Sequence, residues 1–110
     1  MSRDSLGKFE LMVLLGIIRL GDEAYGASIS TVIEETLGRD VLLASVHAAL
    51  ERLVRKGMVT SRLGEPTPER GGRAKRYFRV TAKGLREVRD TRQALTQLWN
   101  GLPQLKGQLS

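Results

Sequence analysis

The 110-residue chain contains no cysteine and a single histidine. Without cysteine it can form no disulfide, no thiol nucleophile, no iron–sulfur cluster and no cysteine-bearing zinc site. One histidine is too few for a multi-histidine metal site. No metal or other cofactor is therefore expected. Aromatic residues are scarce, with one Trp, two Tyr and two Phe. Long hydrophobic runs are missing as well. The longest apolar stretch is Leu11–Ile18, far short of the ~18 residues that span a bilayer. A basic start followed by an apolar run can imitate a signal peptide, but Asp4 and Glu10 interrupt the basic part and Arg19 closes the run. No membrane partner and a cytoplasmic location are expected. No G-x-x-x-x-G-K-[ST] phosphate loop exists. The acidic residues read as scattered over outer faces, with no pair set for acid–base work, and His47 has no nucleophile or third group beside it in a recognisable pattern. An enzyme is not expected.

What the chain does have is positive charge. Its 18 Lys and Arg against 12 Asp and Glu give a net charge of +6. The excess is uneven: residues 1–43 hold four basic and seven acidic residues, while residues 44–110 hold fourteen basic and five acidic. A basic half on a 12.2 kDa globular chain makes a polyanion the first partner to consider.

The hydrophobic periodicity changes along the chain. Residues 6–20 are apolar on nearly every face, which predicts a central, buried helix. Gly21 breaks it, and Asp22 is placed to cap the next helix or to order the turn before it. Ile29, Val32, Ile33 and Leu37 give residues 25–37 one apolar face, with Gly38 suited to the left-handed residue beyond its end. A third helix is predicted over 44–56. Its stripe is Val46, Leu50, Leu53 and Val54, and Gly57 ends it. Residues 58–63 and 75–81 then suit strands, Tyr77 and Phe78 supplying aromatic bulk, with one of the two packing inward and the other facing out. The Gly- and Pro-rich segment 64–74 joins them into a long hairpin whose tip carries Arg70, Gly71, Gly72 and Arg73. Thr81 caps a last helix, about 82–100, in which Gly84 weakens the first turn a little. Leu85, Val88, Leu95, Trp99 and Leu102 occupy heptad positions, interrupted by Arg92. That seam predicts a dimer contact. Pro103 stops the helix and the residues after it read as a flexible tail.

The fold class that follows is mostly α with a small β-hairpin. It divides into a winged helix-turn-helix domain over 1–81, a dimerisation helix over 82–102 and a tail over 103–110. Three short helices and a hairpin are the order of a winged helix-turn-helix, whose third helix enters the major groove. Ala44, Ser45 and Ala48 are small enough to bring that helix near base edges, Arg52 has the reach of a guanine edge or a phosphate, and His47 can donate to either. His47 can also be read as a solvated polar residue. Trp99 reads as an anchor of the dimer core, or as a ring that stacks on a flat ligand. Tyr25 divides evenly between packing and a phosphate contact.

The segments LGKFELMVLLGI at 6–17, AYGASI at 24–29, SVHAALERLVRKGMV at 45–59 and GGRAKRYFRVTAKGLR at 71–86 resemble the PadR-type bacterial transcription regulators. The short final helix is similar to the subfamily in which one C-terminal helix mediates dimerisation. The resemblance implies a homodimeric repressor of a pseudo-palindromic operator in double-stranded DNA, released by a small aromatic or lipophilic effector. It places DNA contacts on Tyr25, Ser28, Ser45, His47, Arg52, Arg73 and Lys75, to which the basic hairpin tip adds Arg70. Where the family usually has Gly and Tyr, this chain has Ala44 and His47. The competing reading is a winged-helix module that binds a protein or an RNA, because fold alone does not decide function.

Overall fold

The computed structural model describes residues 6–66 and 74–105. Their order is α1 (Lys8–Leu20), α2 (Gly26–Leu37), α3 (Leu43–Arg55), β1 (Val59–Pro66), β2 (Ala74–Val80) and α4 (Ala82–Trp99), with single 3-10 turns at Gly21–Glu23 and Pro103–Leu105. The first three helices enclose a core in which Val13, Leu14 and Ile17 of α1 meet Ile29 and Ile33 of α2 and Val46, Ala49, Leu50 and Leu53 of α3. Met58, Val59 and Phe78 close that core from the hairpin side. Phe78 is buried and Tyr77 half-buried, the inward and outward split expected of alternating strand residues.

Glycine ends two of the helices as predicted. Gly38 sits at φ 71° beyond α2, and Gly57 at φ 76° follows α3, a conformation that costs other residues a steric clash. The hairpin is antiparallel, pairing Val59 with Val80 through Leu63 with Arg76, and it resumes past a bulge at Pro66 and Ala74. It has a third, very short partner that the sequence did not announce. Tyr25 forms a bridge to Tyr77, and Phe78 N–H donates to Ala24 O at 2.9 Å. This pairing anchors the start of α2 to the wing.

Four expectations need correction. Asp22 caps no helix; it forms an exposed ion pair with Arg79 on β2, at 3.2 Å. α1 is not buried all round, since Leu15 and Ile18 remain nearly half exposed. Pro103–Leu105 of the expected tail form a 3-10 turn, and residues 106–110 lie outside the described residues.

The fourth correction is Glu10, which was read as a surface carboxylate and is buried. Its side chain is 5 % exposed and takes Arg52 Nε at 2.9 Å and Lys56 Nζ at 2.8 Å, while Gly7 N–H donates to it at 2.8 Å. This is the reciprocal half of a capping box at the start of α1. Burial alone would raise its pKa. The hydrogen bond from Lys56, that from Gly7, that from Arg52 and the Lys56 charge together outweigh burial and hold the carboxyl at about 2, against an ordinary 4.5. A depressed carboxylate pKa stabilises the fold above the unfolded value, and the gain disappears as pH falls toward the folded value. Urea titrations should therefore show stability falling between pH 4.5 and about 2. Glu10→Gln should flatten that segment and lower stability at neutral pH by about 2 kcal/mol, less than a fully buried pair because Arg52 is half in water.

Candidate nucleic-acid interface

Helix α3 differs from the other three at its start. Thr81 caps α4 by accepting from Gly84 N–H at 3.1 Å, and Glu10 serves α1. In α2 the Ser28 hydroxyl accepts from Tyr25 N–H at 3.0 Å, the same reciprocal half of a capping box, whereas α3 has no side-chain cap; neither helix has an acidic residue in its first turn. The first N–H groups of α3 thus have no side-chain cap, and the positive end of its dipole has no acidic residue in the first turn, an arrangement that suits phosphate oxygens.

The two helix starts open on one groove of about 740 Å³, lined by Tyr25, His47, Arg55, Lys75 and Arg76 and by one carboxylate, Glu51, among others. The imidazole of His47 lies over Gly26, where an added Cβ would come within 2.8 Å of Cε1. Lys75 Nζ stands 4.1 Å above the Tyr25 ring. Tyr25 in turn meets the edge of Tyr77 at 5.7 Å, and Arg62 lies 4.8 Å from the Tyr77 centroid. This cation–aromatic stack fixes the wing against the start of α2. Arg76 donates to Ser61 Oγ across the hairpin at 3.1 Å and leaves its remaining donors exposed.

The structure thus gathers Tyr25, His47 and Lys75 into one groove. Ser45 is exposed in the first turn of α3, on the flank away from His47. Arg52 does not join them. Its Nε is tied to Glu10 on the α1 flank, five residues and about 140° around the helix from His47, so the two do not share one reading face. Ser28 is also committed elsewhere. Its hydroxyl accepts from Tyr25 N–H at 3.0 Å and donates to Glu23 O at 2.7 Å, which makes it a cap within the turn with no proton left for a phosphate. Arg70 and Arg73 lie outside the described residues. Sequence reasoning missed Arg55 and Arg76 as groove cations, although both stand in segments already read as DNA-facing. It also missed Leu42 and Leu43, 75 % and 45 % exposed at the start of α3.

The heptad seam divides between two roles. Val88 packs on the core of its own chain and Leu85 is half-buried beside Ile17 and Val80. Leu95, Trp99 and Leu102 remain exposed, together with Leu98. Leu95 and Trp99 line an apolar groove of about 470 Å³ with Leu11 and Leu15 of α1, and Arg92 stands at its edge.

Among the described residues no helix is long and apolar enough to cross a membrane, and no cluster of three or more His, Asp or Glu could hold a metal ion. Residues 14–90 match the model of the transcriptional regulator PadR-like family. No curated protein matches the chain. Of solved structures, a transcriptional regulator from Clostridium thermocellum is 23 % identical with a TM-score of 0.67, over 81 % of this chain and 81 % of that one. A PadR family regulator from Eggerthella lenta is 23 % identical with a TM-score of 0.68, over 86 % and 80 % of the two chains. A PadR-like regulator from Bacillus cereus is 22 % identical with a TM-score of 0.64, over 86 % and 93 %. These likenesses carry the winged-helix fold. With the family match over residues 14–90, they place the chain in the PadR-like family of DNA-binding transcriptional regulators, which are not enzymes.

Proposed function

We propose that the chain is a homodimeric, cytoplasmic repressor that binds a pseudo-palindromic operator in double-stranded DNA and is released by a small aromatic or lipophilic effector. The observation that supports it best is the convergence of the start of α2 and the uncapped start of α3, neither with an acidic residue in its first turn, with Lys75, Arg76 and Arg55 on one groove. In a dimer of the usual geometry two α3 helices would enter successive major grooves about 34–36 Å apart. The α1–α4 groove beside Trp99 has the apolar, aromatic walls that flat ligands prefer. An effector there would act only by binding two dimer conformations unequally.

Titration of the protein with its own upstream region and with random duplex tests the reading. Tighter binding to the upstream region supports it; equal binding overturns sequence specificity. Absence of any duplex shift at low salt, with a protein or RNA captured instead, would favour the alternative module. Lys75→Ala should weaken binding to both duplexes alike and reduce the slope of log K against log salt by about 1 if Lys75 sits on a phosphate.

A further inference from the structure

We infer that Leu42 and Leu43 select the operator by contacting thymine 5-methyl groups in the major groove; the inference rests on the DNA-binding reading above. Two observations carry it. The first is the inventory of side chains at the leading end of α3. Residues 42–51 include no Arg, Lys, Asn or Gln. Those are the side chains that make paired hydrogen bonds to guanine or adenine edges. Ser45 has a short hydroxyl, His47 leans over Gly26, and Arg52, the first long donor, is drawn back to Glu10 on the other flank. Direct readout here is therefore limited to the short Ser45 hydroxyl and to Glu51, which lines the groove and can accept only from cytosine N4; neither offers the paired bonds that read guanine or adenine.

The second observation is what occupies the same end instead. Leu42 is 75 % exposed and Leu43 45 % exposed, although the core takes in every other leucine and valine of α3 except Val54. Both precede or begin the helix that the uncapped, acid-free start presents outward. Leu43 also lines the cationic groove beside Tyr25 and His47, so this apolar patch is continuous with the DNA-facing surface. Ala44 and Ala48, both exposed, add little bulk to keep the helix from the base edges. The one apolar feature in the major-groove edge of a base pair is the thymine methyl group. An apolar lead into that groove matches thymine and gains nothing from guanine or cytosine.

The test begins with duplexes selected from a random pool by the full-length chain. Each is then remade with deoxyuridine for individual thymines, which removes only the 5-methyl group. The expected result is a half-site with at least one thymine whose methyl loss weakens binding about fourfold, the effect of one buried methyl-sized group. Leu42→Ala or Leu43→Ala should bind the thymine and uracil forms of the selected duplex alike. Equal binding of both forms by the wild-type chain overturns the inference, and that arm needs no variant. Retention of wild-type discrimination in both variants also overturns it, and would leave the leucines to another occupant, such as a protein. Loss of all duplex binding at low salt would bring down the DNA-binding reading itself, a distinct result.

Discussion

Gly84→Ala should lower the unfolding free energy by about 2 kcal/mol, against the gain of about 1 kcal/mol that helix propensity alone would give. The reason is a close approach of backbone to backbone. A Cβ built at Gly84 collides with the carbonyl oxygen of Met58 and lies 2.6 Å from Val80 Cγ1 and 3.2 Å from the Met58 carbonyl carbon. Flexible side chains can step aside, but this carbonyl cannot. It already accepts from Thr81 N–H at 2.9 Å. Thr81 Oγ1 donates to Gly57 O at 2.7 Å while accepting from Gly84 N–H at 3.1 Å. Sliding α4 outward would therefore cost the cap, worth about 1 kcal/mol, as well as contacts of Val88 with the core. Overpacking of this kind costs about 1–3 kcal/mol. For a chain of this length the melting temperature should fall by about 10 °C. Urea denaturation or a thermal scan checks it, and an unchanged or raised midpoint would show that the junction yields.

Gly84 also shows where sequence reading stops. Within α4 it is an ordinary poor helix former, and only the position of Met58, 26 residues earlier, makes it necessary. The helices, the hairpin and the ends at Gly38 and Gly57 were legible because each depends on local periodicity or on a local backbone conformation. The bridge from Tyr25 to Tyr77, the burial of Glu10 and the ion pair of Asp22 with Arg79 were not. Each joins residues more than forty positions apart, and a carboxylate at position 10 looks the same in sequence whether a helix 42 residues later reaches it or not. Arg52 illustrates the consequence for the site. Its spacing on α3 is compatible with the groove, and it was read there. What decides its direction is a buried charge on α1, which attracts a nearby guanidinium strongly once water is excluded. The groove cations Arg55 and Arg76 were hidden for a different reason. Basic residues occur throughout the second half of the chain, and only folding separates those at the groove from Arg86, Arg89 and Arg92, which α4 carries elsewhere.

The α4 seam leads to the second large effect. Leu95→Glu should convert the proposed dimer to monomers at micromolar concentration and abolish tight binding to a two-half-site operator. Leu95 and Trp99 lie on the same side of α4, and with Leu11 and Leu15 they form an apolar surface that the described residues leave partly uncovered. Leu98 and Leu102 extend the exposed apolar area. Every residue from Arg92 to Asn100 is exposed, and even Leu95 and Trp99, which meet α1, keep 43 % and 39 % of their surface in water. A second copy would bury this surface twice over. A glutamate placed in it would be an unpaired buried charge, which costs several kcal/mol and raises the dissociation constant about 100-fold or more. Gln97→Glu supplies the control, since it adds the same charge about 160° around the helix from Leu95 and should leave the dimer intact. Binding to a single half-site should survive Leu95→Glu, because the α2–α3 groove does not involve α4. What disappears is the second recognition helix, whose tethering makes its own binding intramolecular. Sedimentation and duplex titration read the two effects separately. If Leu95→Glu sediments as wild type, the seam is not the dimer contact, and the exposed leucines of α4 have another partner.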